Sequence, residues 1–577
     1  MCGFAGFISN NLIESQSRNN ILKMMGQSLL HRGPDQRGEF NYSERGFSLV
    51  HQRLSILDTS ENGKQPMISP SGRFVIAFNG EIYNYKDLKS EIQKSDFYIN
   101  DWSSDSDTEV LLRSIEIWGL ERTLSKIVGM FSFALLDMEN DDLFLARDRI
   151  GEKPLYYGCQ KGSFIFGSEL KALKVHSDFE NVIDRDSITL QLRFSSIPAP
   201  FSIYKGVRKL LPGTYIKLSL ANNNFQIENI PSPIPYWKLS NIISEGRKNV
   251  FLGSDNEAIG QLDKLLNKSI EQQMLSDVPL GAFLSGGVDS SSIVAIMQAQ
   301  SDKPIKTFTI GSDDQSYNEA KLAKLIAEYL QTDHTELYVS AQDALNIIPY
   351  LPKLYDEPFS DFSQIPTSIV SKLAKKQVTV SLSGDAGDEL FGGYNRYIGV
   401  DNWWSKINSM PFWLRRFVGS KILSISPLKW ESFEVFSSKV FFNRFPLGGL
   451  GNKMQKVGSV LGIRDDSELY NHFVSNWSFP EEVVLKGIEP IIPNISNEID
   501  FDNITSKMMA MDTMQYLPDD ILVKLDRAAM GESLETRVPF LDHRIIEFAW
   551  TLPLSMKIRS GQGKWILRQL LNKCQIN

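Results

Sequence analysis

The chain has 577 residues, of which 42% are hydrophobic and 23% charged, and its 61 Lys+Arg against 69 Asp+Glu leave a formal net charge of −8. This is globular composition with room for about two to four domains. The mildly acidic balance excludes the basic stripe of a nucleic-acid binder, and the longest apolar stretches, such as Val128–Met138 with Ser132 and Asp137 inside it, fall short of the ~18–20 residues that cross a bilayer.

At the amino end Cys2 stands directly behind Met1 and before Gly3. No basic segment leading into an apolar one opens the chain, so no secretory signal is read. The three cysteines, Cys2, Cys159 and Cys574, are too scattered for a disulfide framework or a zinc knuckle. Together these features predict a cytoplasmic protein. Strand-like runs follow at Gly46–Val50, Arg73–Asn79, Met130–Asp137, Leu143–Arg147 and Ser163–Gly167. Helical patterns lie between them at Ile21–Leu30 and Thr108–Trp118, the latter with Asp107 as its N-cap. Turn-formers crowd 211–236, and 241–256 is polar without an apolar stripe. Residues 211–256 therefore read as a linker between a first domain, 1–210, and a second, 257–577.

In the second domain the pattern alternates. A helix at Ala258–Met274 precedes a strand at Pro279–Leu284, a helix at Ser290–Met297, a strand at Lys306–Ile310 and a helix at Asn318–Tyr329. A helix at Thr367–Lys375 and a strand at Val378–Leu382 follow. This alternation predicts a doubly wound parallel sheet. The Trp- and Phe-rich segment from Asp401 to Asp500 reads as helical, as does Leu517–Phe548 with a break at Val538–Pro539.

Several of these segments carry chemistry. Removal of Met1 would leave Cys2 with a thiol and a free α-amino group, a nucleophile and a base on one residue. Asn79 and Gly80 end an apolar strand and offer an amide and a backbone N–H, the donors of an oxyanion hole; an Asn-Gly hairpin turn is the alternative. Arg53 is suited to a carboxylate and Asp107 to an ammonium group. Further on, Leu284-Ser285-Gly286-Gly287-Val288-Asp289-Ser290 joins a strand to a helix. Glycines, hydroxyls and a helix N-terminus suit a phosphate, and Asp289 suits a Mg²⁺ bound to it. The loop has no lysine, so it is not a Walker A sequence. A second loop, Ser383-Gly384-Asp385-Ala386-Gly387-Asp388-Glu389, gathers acids that repel one another unless a cation sits among them.

MCGFAGF, HRGPD (His31–Asp35), HQRLSI (His51–Ile56), FNGEIYN (Phe78–Asn84) and SDTE (Ser106–Glu109) resemble, in this order, the glutaminase domain of class II glutamine amidotransferases. SGGVDSS, the SGDAGDELFGGY segment, YNEAKLAKLIAEYL (Tyr317–Leu330), TDHTE (Thr332–Glu336), YDEPFSDFSQIPT (Tyr355–Thr367) and VKLDRAAMGESLETRVPFLDHR (Val523–Arg544) extend the resemblance to glutamine-hydrolysing asparagine synthetases, in the branch associated with surface-polysaccharide genes. The resemblance implies an α/β and α+β molecule: an αββα N-terminal-nucleophile sandwich followed by an ATP-pyrophosphatase domain. It implies that Cys2 attacks glutamine, that Asn79 and Gly80 hold the oxyanion, and that Arg53, Glu81 and Asp107 bind the glutamine, with Arg32 ordering a loop over the site. Leu284, Ile310, Ser383 and Gly384 would contact ATP, and Ser285, Gly287, Asp289 and Ser290 the pyrophosphate, with Asp289 and Asp388 near Mg²⁺. Asp385 would sit beside the acyl-adenylate, and Glu389 and Arg527 would grip the acceptor. That acceptor is aspartate or, alternatively, a sugar (uronic) acid. A homodimer is the family habit.

Two departures stand out. Asp385 replaces the Glu of better-known members and shortens the carboxylate. Relatives also continue past the GKWILR segment (Gly563–Arg568) into a stretch with a pyrophosphate-facing Lys, whereas this sequence ends in LLNKCQIN. Lys524 and Lys564 are present but do not take that place in order. The expectation from this is an intact glutaminase half with weak synthetase activity.

Overall fold

The computed structural model describes residues 2–9, 14–94, 101–221, 226–312, 319–432, 449–492 and 498–573. Cys574 and the first residues of the Tyr317–Leu330 segment lie outside them. No described helix is long and apolar enough to cross a membrane.

The first part is built on two antiparallel sheets of six strands each. One runs, in spatial order, Val207–Lys209, Tyr156–Gln160, Ser163–Gly167, Gly3–Ser9, Phe47–Arg53 and Gln36–Tyr42; the other runs Ile234–Pro235, Thr214–Ser219, Asp142–Arg147, Gly129–Asp137, Phe74–Ile82 and Met67–Ile68. The central strands read as unbroken apolar runs because both faces are covered. In Gly3–Ser9, Phe4 and Ile8 point between the sheets to meet Leu49, Val75 and Leu145. Ala5 and Phe7 point the other way, under the helices Ser15–Ser28 and Leu170–Lys174. On the far side Ile76 and Phe78 pack under Tyr85–Gln93 and Asp107–Trp118. The layers are therefore αββα. This stacking places Cys2 directly before the first central strand, facing the end of Phe74–Ile82.

The second part carries a five-stranded parallel sheet in the spatial order Asp333–Val339, Lys306–Ser312, Leu280–Phe283, Val380–Leu382 and Glu535–Arg537. The first strand in sequence is central and the chain winds outward to both sides, the doubly wound order. Leu280–Phe283 and Val380–Leu382 are paired neighbours, so the two Gly-containing loops that follow them meet at the switch point. One apolar cluster joins both parts, with Leu54, Ile56, Tyr83 and Met130 packed among residues such as Leu284, Leu390 and Phe540.

Three local expectations change. Ser106, not Asp107, caps its helix, accepting from the Glu109 N–H at 3.3 Å, and Asp107 is the first helical residue. Segment 211–256 is not an unstructured junction. Thr214–Ser219 is a strand of the second sheet, and Leu239–Lys248 is a helix that buries Leu239 and Ile243. Within the stretch read as helical, Glu535–Arg537 is instead the edge strand of the parallel sheet, paired to Val380–Leu382.

Candidate active sites

The Cys2 nitrogen donates to Asn79 Oδ1 at 3.1 Å, and the Cys2 Sγ lies 3.9 Å from the Leu54 carbonyl. Cys2 is buried, and burial pushes its thiol above the ordinary range. Among the described residues Asn79 Nδ2 has a single, long contact, 3.5 Å to Ser132 Oγ, which leaves it able to donate elsewhere. No side chain fits at Gly80, where a Cβ would meet the Met130 carbonyl at 2.1 Å. Asp107 is buried and Oδ2 accepts the Ile82 N–H at 2.7 Å; burial raises it to about 6. Cys2, Asn79, Gly80, Glu81 and Asp107 are thus brought together around one strand end. Arg53 lies close enough to Cys2 for its charge to favour the thiolate. Its guanidinium donates to the carbonyls of Leu57, Asp58 and Ser60 and so shapes the 57–60 loop.

Sequence reasoning did not find the partners that the second part sends into this site. Arg537 Nη2 reaches Glu81 at 3.6 Å, and its Nε donates to Glu535 at 2.6 Å. Glu81, buried beside Glu535, is held well above the usual carboxylate range by that burial. Arg32 is fully buried and donates from Nε to the Cys2 carbonyl at 3.0 Å. Its two Nη atoms grip Asp526 at 2.8 and 2.9 Å, and Nη1 also meets Glu169 at 2.7 Å. Arg527, expected to grip the acceptor, lines a small cavity beside Tyr156 and Asp526. It is buried in the same network, with Nη1 2.7 Å from Glu169, because that carboxylate needs several cations to offset its desolvation.

At the switch point the two loops interlock. A Cβ at Gly384 would lie 2.6 Å from the Ser290 nitrogen, and one at Gly387 would lie 2.4 Å from the Asp289 carboxyl carbon. Gly286 takes a left-handed φ of 77°, which glycine adopts freely. Ser285 Oγ and Ser290 Oγ are 3.1 Å apart, and the Gly287 N–H donates to Ser285 Oγ at 3.3 Å. The helix Val288–Ala299 begins here, so its free N–H groups face the loop space. Leu284 and Ile310 sit on the neighbouring strand ends, and Ser383 donates to Asp385 at 2.5 Å. Lys564 Nζ lies between Asp289 Oδ2 at 2.5 Å and Asp388 Oδ1 at 2.7 Å. Burial pushes Asp289 up to about 7 even with that cation beside it, and its Oδ1 has no hydrogen-bond partner among the described residues. Two carboxylates with a spare buried oxygen fit a hard divalent cation that takes its other ligands from phosphate. Among the described residues no group of three or more His, Cys, Asp or Glu could hold a metal without such help.

Glu389 accepts from the Tyr394 hydroxyl at 2.6 Å and is pushed up to about 8 by burial. The Tyr394 ring meets Tyr516 edge-on and carries the Arg396 guanidinium 4.3 Å over its face. Arg396 and Tyr516 open onto a cleft of about 240 Å³ between the two parts, also lined by Asp361, Asp519 and Asp520.

An αββα sandwich that opens on a buried cysteine, docked against a parallel sheet with anion-suited loops at its switch point, defines a two-site amidotransferase. Residues 1–229 match the glutamine amidotransferase domain and residues 261–574 the asparagine synthase domain. The chain is 32% identical to asparagine synthetase [glutamine-hydrolyzing] 1 of Bacillus subtilis over 99% of its own length and 84% of that protein's. It is 32% identical to a relative from Methanocaldococcus jannaschii, covering 92% of this chain and 98% of the other, and 27% identical to asparagine synthetase [glutamine-hydrolyzing] 3 of B. subtilis, covering 99% and 84%. The chain belongs to the asparagine synthase family and is a glutamine-dependent amidotransferase of that type.

Proposed function

We propose that the protein converts aspartate to asparagine, with glutamine as nitrogen donor and ATP as activator. The observation that carries this reading is the contact between the two sites: Arg32 holds the Cys2 carbonyl at 3.0 Å and is itself held by Asp526, on a helix of the synthetase half. With Met1 removed, the Cys2 nitrogen is a free amine beside its own thiol and takes the thiol proton as Sγ attacks the glutamine side-chain carbonyl. The Asn79 Nδ2 and the Gly80 N–H face the oxyanion that forms. Asp107 and Glu81 bind the glutamine, Asp107 by its ammonium group. The same amine returns the proton to the departing nitrogen, so ammonia leaves neutral, and water then releases glutamate.

In the second site Ser285, Gly287 and Ser290 hold the pyrophosphate of ATP, while Leu284, Ile310, Ser383 and Gly384 border the nucleotide. Mg²⁺, held by Asp289 and Asp388, would supply charge neutralisation of the phosphates. Lys564 supplies a cation at the same place. Asp385 sits beside the activated carboxyl, and burial of the site protects it from water. Aspartate is favoured over a sugar acid by the cleft. Its lining offers Arg396, which also pairs with buried Asp512 at 2.9 Å, for a carboxylate, and Asp520, beside the Lys524-paired Asp361, for an ammonium, a combination that a uronic acid does not use. Asp520 is buried, pushed up to about 8 by burial, and its Oδ1 has no hydrogen-bond partner among the described residues; an incoming ammonium would meet that oxygen and lower it again.

Purified protein with ATP, Mg²⁺ and glutamine, offered aspartate or glucuronate in turn, tests the acceptor. Pyrophosphate and asparagine released in equal amounts with aspartate are expected. Pyrophosphate released only with the uronic acid would overturn the reading. A second outcome concerns pH. Asp107 must be ionised to hold an ammonium, and its carboxyl is raised to about 6. The KM for glutamine should therefore be flat above that pH and climb as the pH falls through it, by about tenfold per unit once well below. Asp107→Asn should raise KM throughout and remove the slope, measured as glutamate release.

A further inference from the structure

At the end of the edge strand Asp333–Val339 lies a cavity of about 1170 Å³ whose lining includes none of the residues assigned above to catalysis or substrate binding. Both halves of the molecule wall it. His31 and Lys171 come from the first; the strand end at Leu337–Val339, the helix Gln364–Lys375 and the segment 341–355 come from the second. That segment is a run of short helical turns, Ala341–Ile347, Ile348–Tyr350 and Leu351–Tyr355, and of their residues only Tyr355 is buried. Helices this short owe their stability to packing, yet Leu345 is 56% exposed and Tyr350 65%. The segment thus borders the cavity without filling it.

The charge on the walls runs against that of the chain. Lys171, Lys353, Lys372 and Lys376 stand against Asp343 and Glu532, a net of two positive charges with His31 neutral, in a chain whose own net charge is −8. Asp343 is already committed, accepting the Ser340 N–H at 2.9 Å as part of a helix cap. Lys353, Lys372 and Lys376 have no ion-pair partner among the described residues. Lys372 and Lys376 lie four apart at the end of one helix, the spacing at which like charges repel, and an anion between them removes that repulsion. The exposed ring of Tyr350 lies on the same wall as Lys353 and offers a flat face to another ring.

We propose that this cavity is a second nucleotide site, binding a nucleoside diphosphate with its base stacked on Tyr350 and its phosphates held by Lys353, Lys372 and Lys376. Lysine binds phosphate as a point charge, and the net positive charge of the walls suits a diphosphate where it gives nothing to a neutral sugar or a fatty chain. Small-molecule sites run to about 300–1,000 Å³, so a nucleotide fits the space. The occupant rests against the network that holds Cys2: Lys171 and His31 lie 2.7 and 3.0 Å from Glu169, and Glu169 binds the Arg32 that reaches the Cys2 carbonyl.

Calorimetric titration of the full-length protein with UDP and with GDP, in magnesium-free buffer, tests the site. One of the two is expected to bind one-to-one, and more tightly than inorganic pyrophosphate, which lacks the base. The double variant Lys353→Glu with Lys376→Glu should raise its Kd by about tenfold or more, since two attractions become repulsions, while glutamate release from glutamine shows that the variant is folded. Tyr350→Ala should raise the Kd by about fivefold or more through the lost stacking. Ser285→Asp, which sets a negative charge in the phosphate loop of the other site, should leave the Kd within about twofold of wild type. Binding lost in Ser285→Asp and kept in the lysine variant would place the nucleotide in that loop and overturn the proposal. A Kd unmoved by the lysine variant or by Tyr350→Ala overturns it as well, as does the absence of binding by both nucleotides.

Discussion

Cys2→Ala is expected to lower glutamine hydrolysis by about a thousandfold or more, the scale on which removing a nucleophile acts. Amide formation from ammonium chloride should continue. The physical argument runs through the thiol's surroundings. Burial holds the Cys2 thiol above its ordinary range, so at neutral pH it carries its proton and is a poor nucleophile by itself. It becomes one only if a base within the same residue accepts that proton, and the nitrogen that now donates to Asn79 at 3.1 Å is the atom placed to do so. Cys2→Ser keeps the shape but replaces a thiol by a hydroxyl that is far harder to ionise, so its hydrolysis should fall nearly as far. Ammonium-dependent synthesis reports on the second site alone and serves as the folding control. Glutamine turnover that survives Cys2→Ala, measured as glutamate released, would remove the chemical basis of the first site.

Much of this arrangement is legible along the chain because it depends on short-range chemistry. Arg73–Asn79 reads as a strand and Ala258–Met274 as a helix from their apolar patterns; the structure has Phe74–Ile82 and Asp255–Gln273, the helix starting three residues earlier at a capping box between Ser254 and Glu257 that the apolar pattern does not reveal. The two Gly-containing loops announce themselves through what a phosphate needs from a backbone. The less legible features are set by partners distant in sequence. The positions of Arg527 and Arg537 along the chain do not reveal that the first joins Glu169 while the second reaches Glu81. Both pairings arise because two halves with buried carboxylates at their contact need cations from each other. Glu535–Arg537 is too short for its period to register, and Leu239–Lys248 has an apolar stripe too narrow to stand out from a polar segment. The 10-residue π-helical stretch Asp512–Ile521, with Pro518 inside it, is another case. Proline argues against a helix interior, yet here the wider turn accommodates it and sets Asp519 and Asp520 on the wall of the cleft.

The second large effect is expected at Asp526. Its two carboxylate oxygens bind the Arg32 guanidinium at 2.8 and 2.9 Å, and both residues are buried. Asp526→Ala would leave Arg32 with Glu169 as its remaining carboxylate, and Glu169 already serves His31, Lys171 and Arg527. Breaking a buried pair from one side costs about 3–5 kcal/mol, so a loss of that order is expected in denaturant unfolding of the docked molecule. Burial alone would raise the Asp526 carboxyl, but Arg32 more than offsets it and holds it below its usual value. Its contribution is therefore present at all pH values above the ordinary carboxylate range and is lost only as the pH falls through the lowered one, so the gap between wild type and variant should close in strong acid and not near neutrality. Glutaminase activity should fall as well, because Arg32 is the group that holds the Cys2 carbonyl. The double variant Arg32→Met with Asp526→Leu separates the two consequences. Replacing both charges with apolar groups should recover much of the stability but none of the activity, since nothing then orients Cys2. Recovery of both would mean that the network only glues the halves together, and loss of neither in Asp526→Ala would mean that Arg32 does not depend on the synthetase half at all.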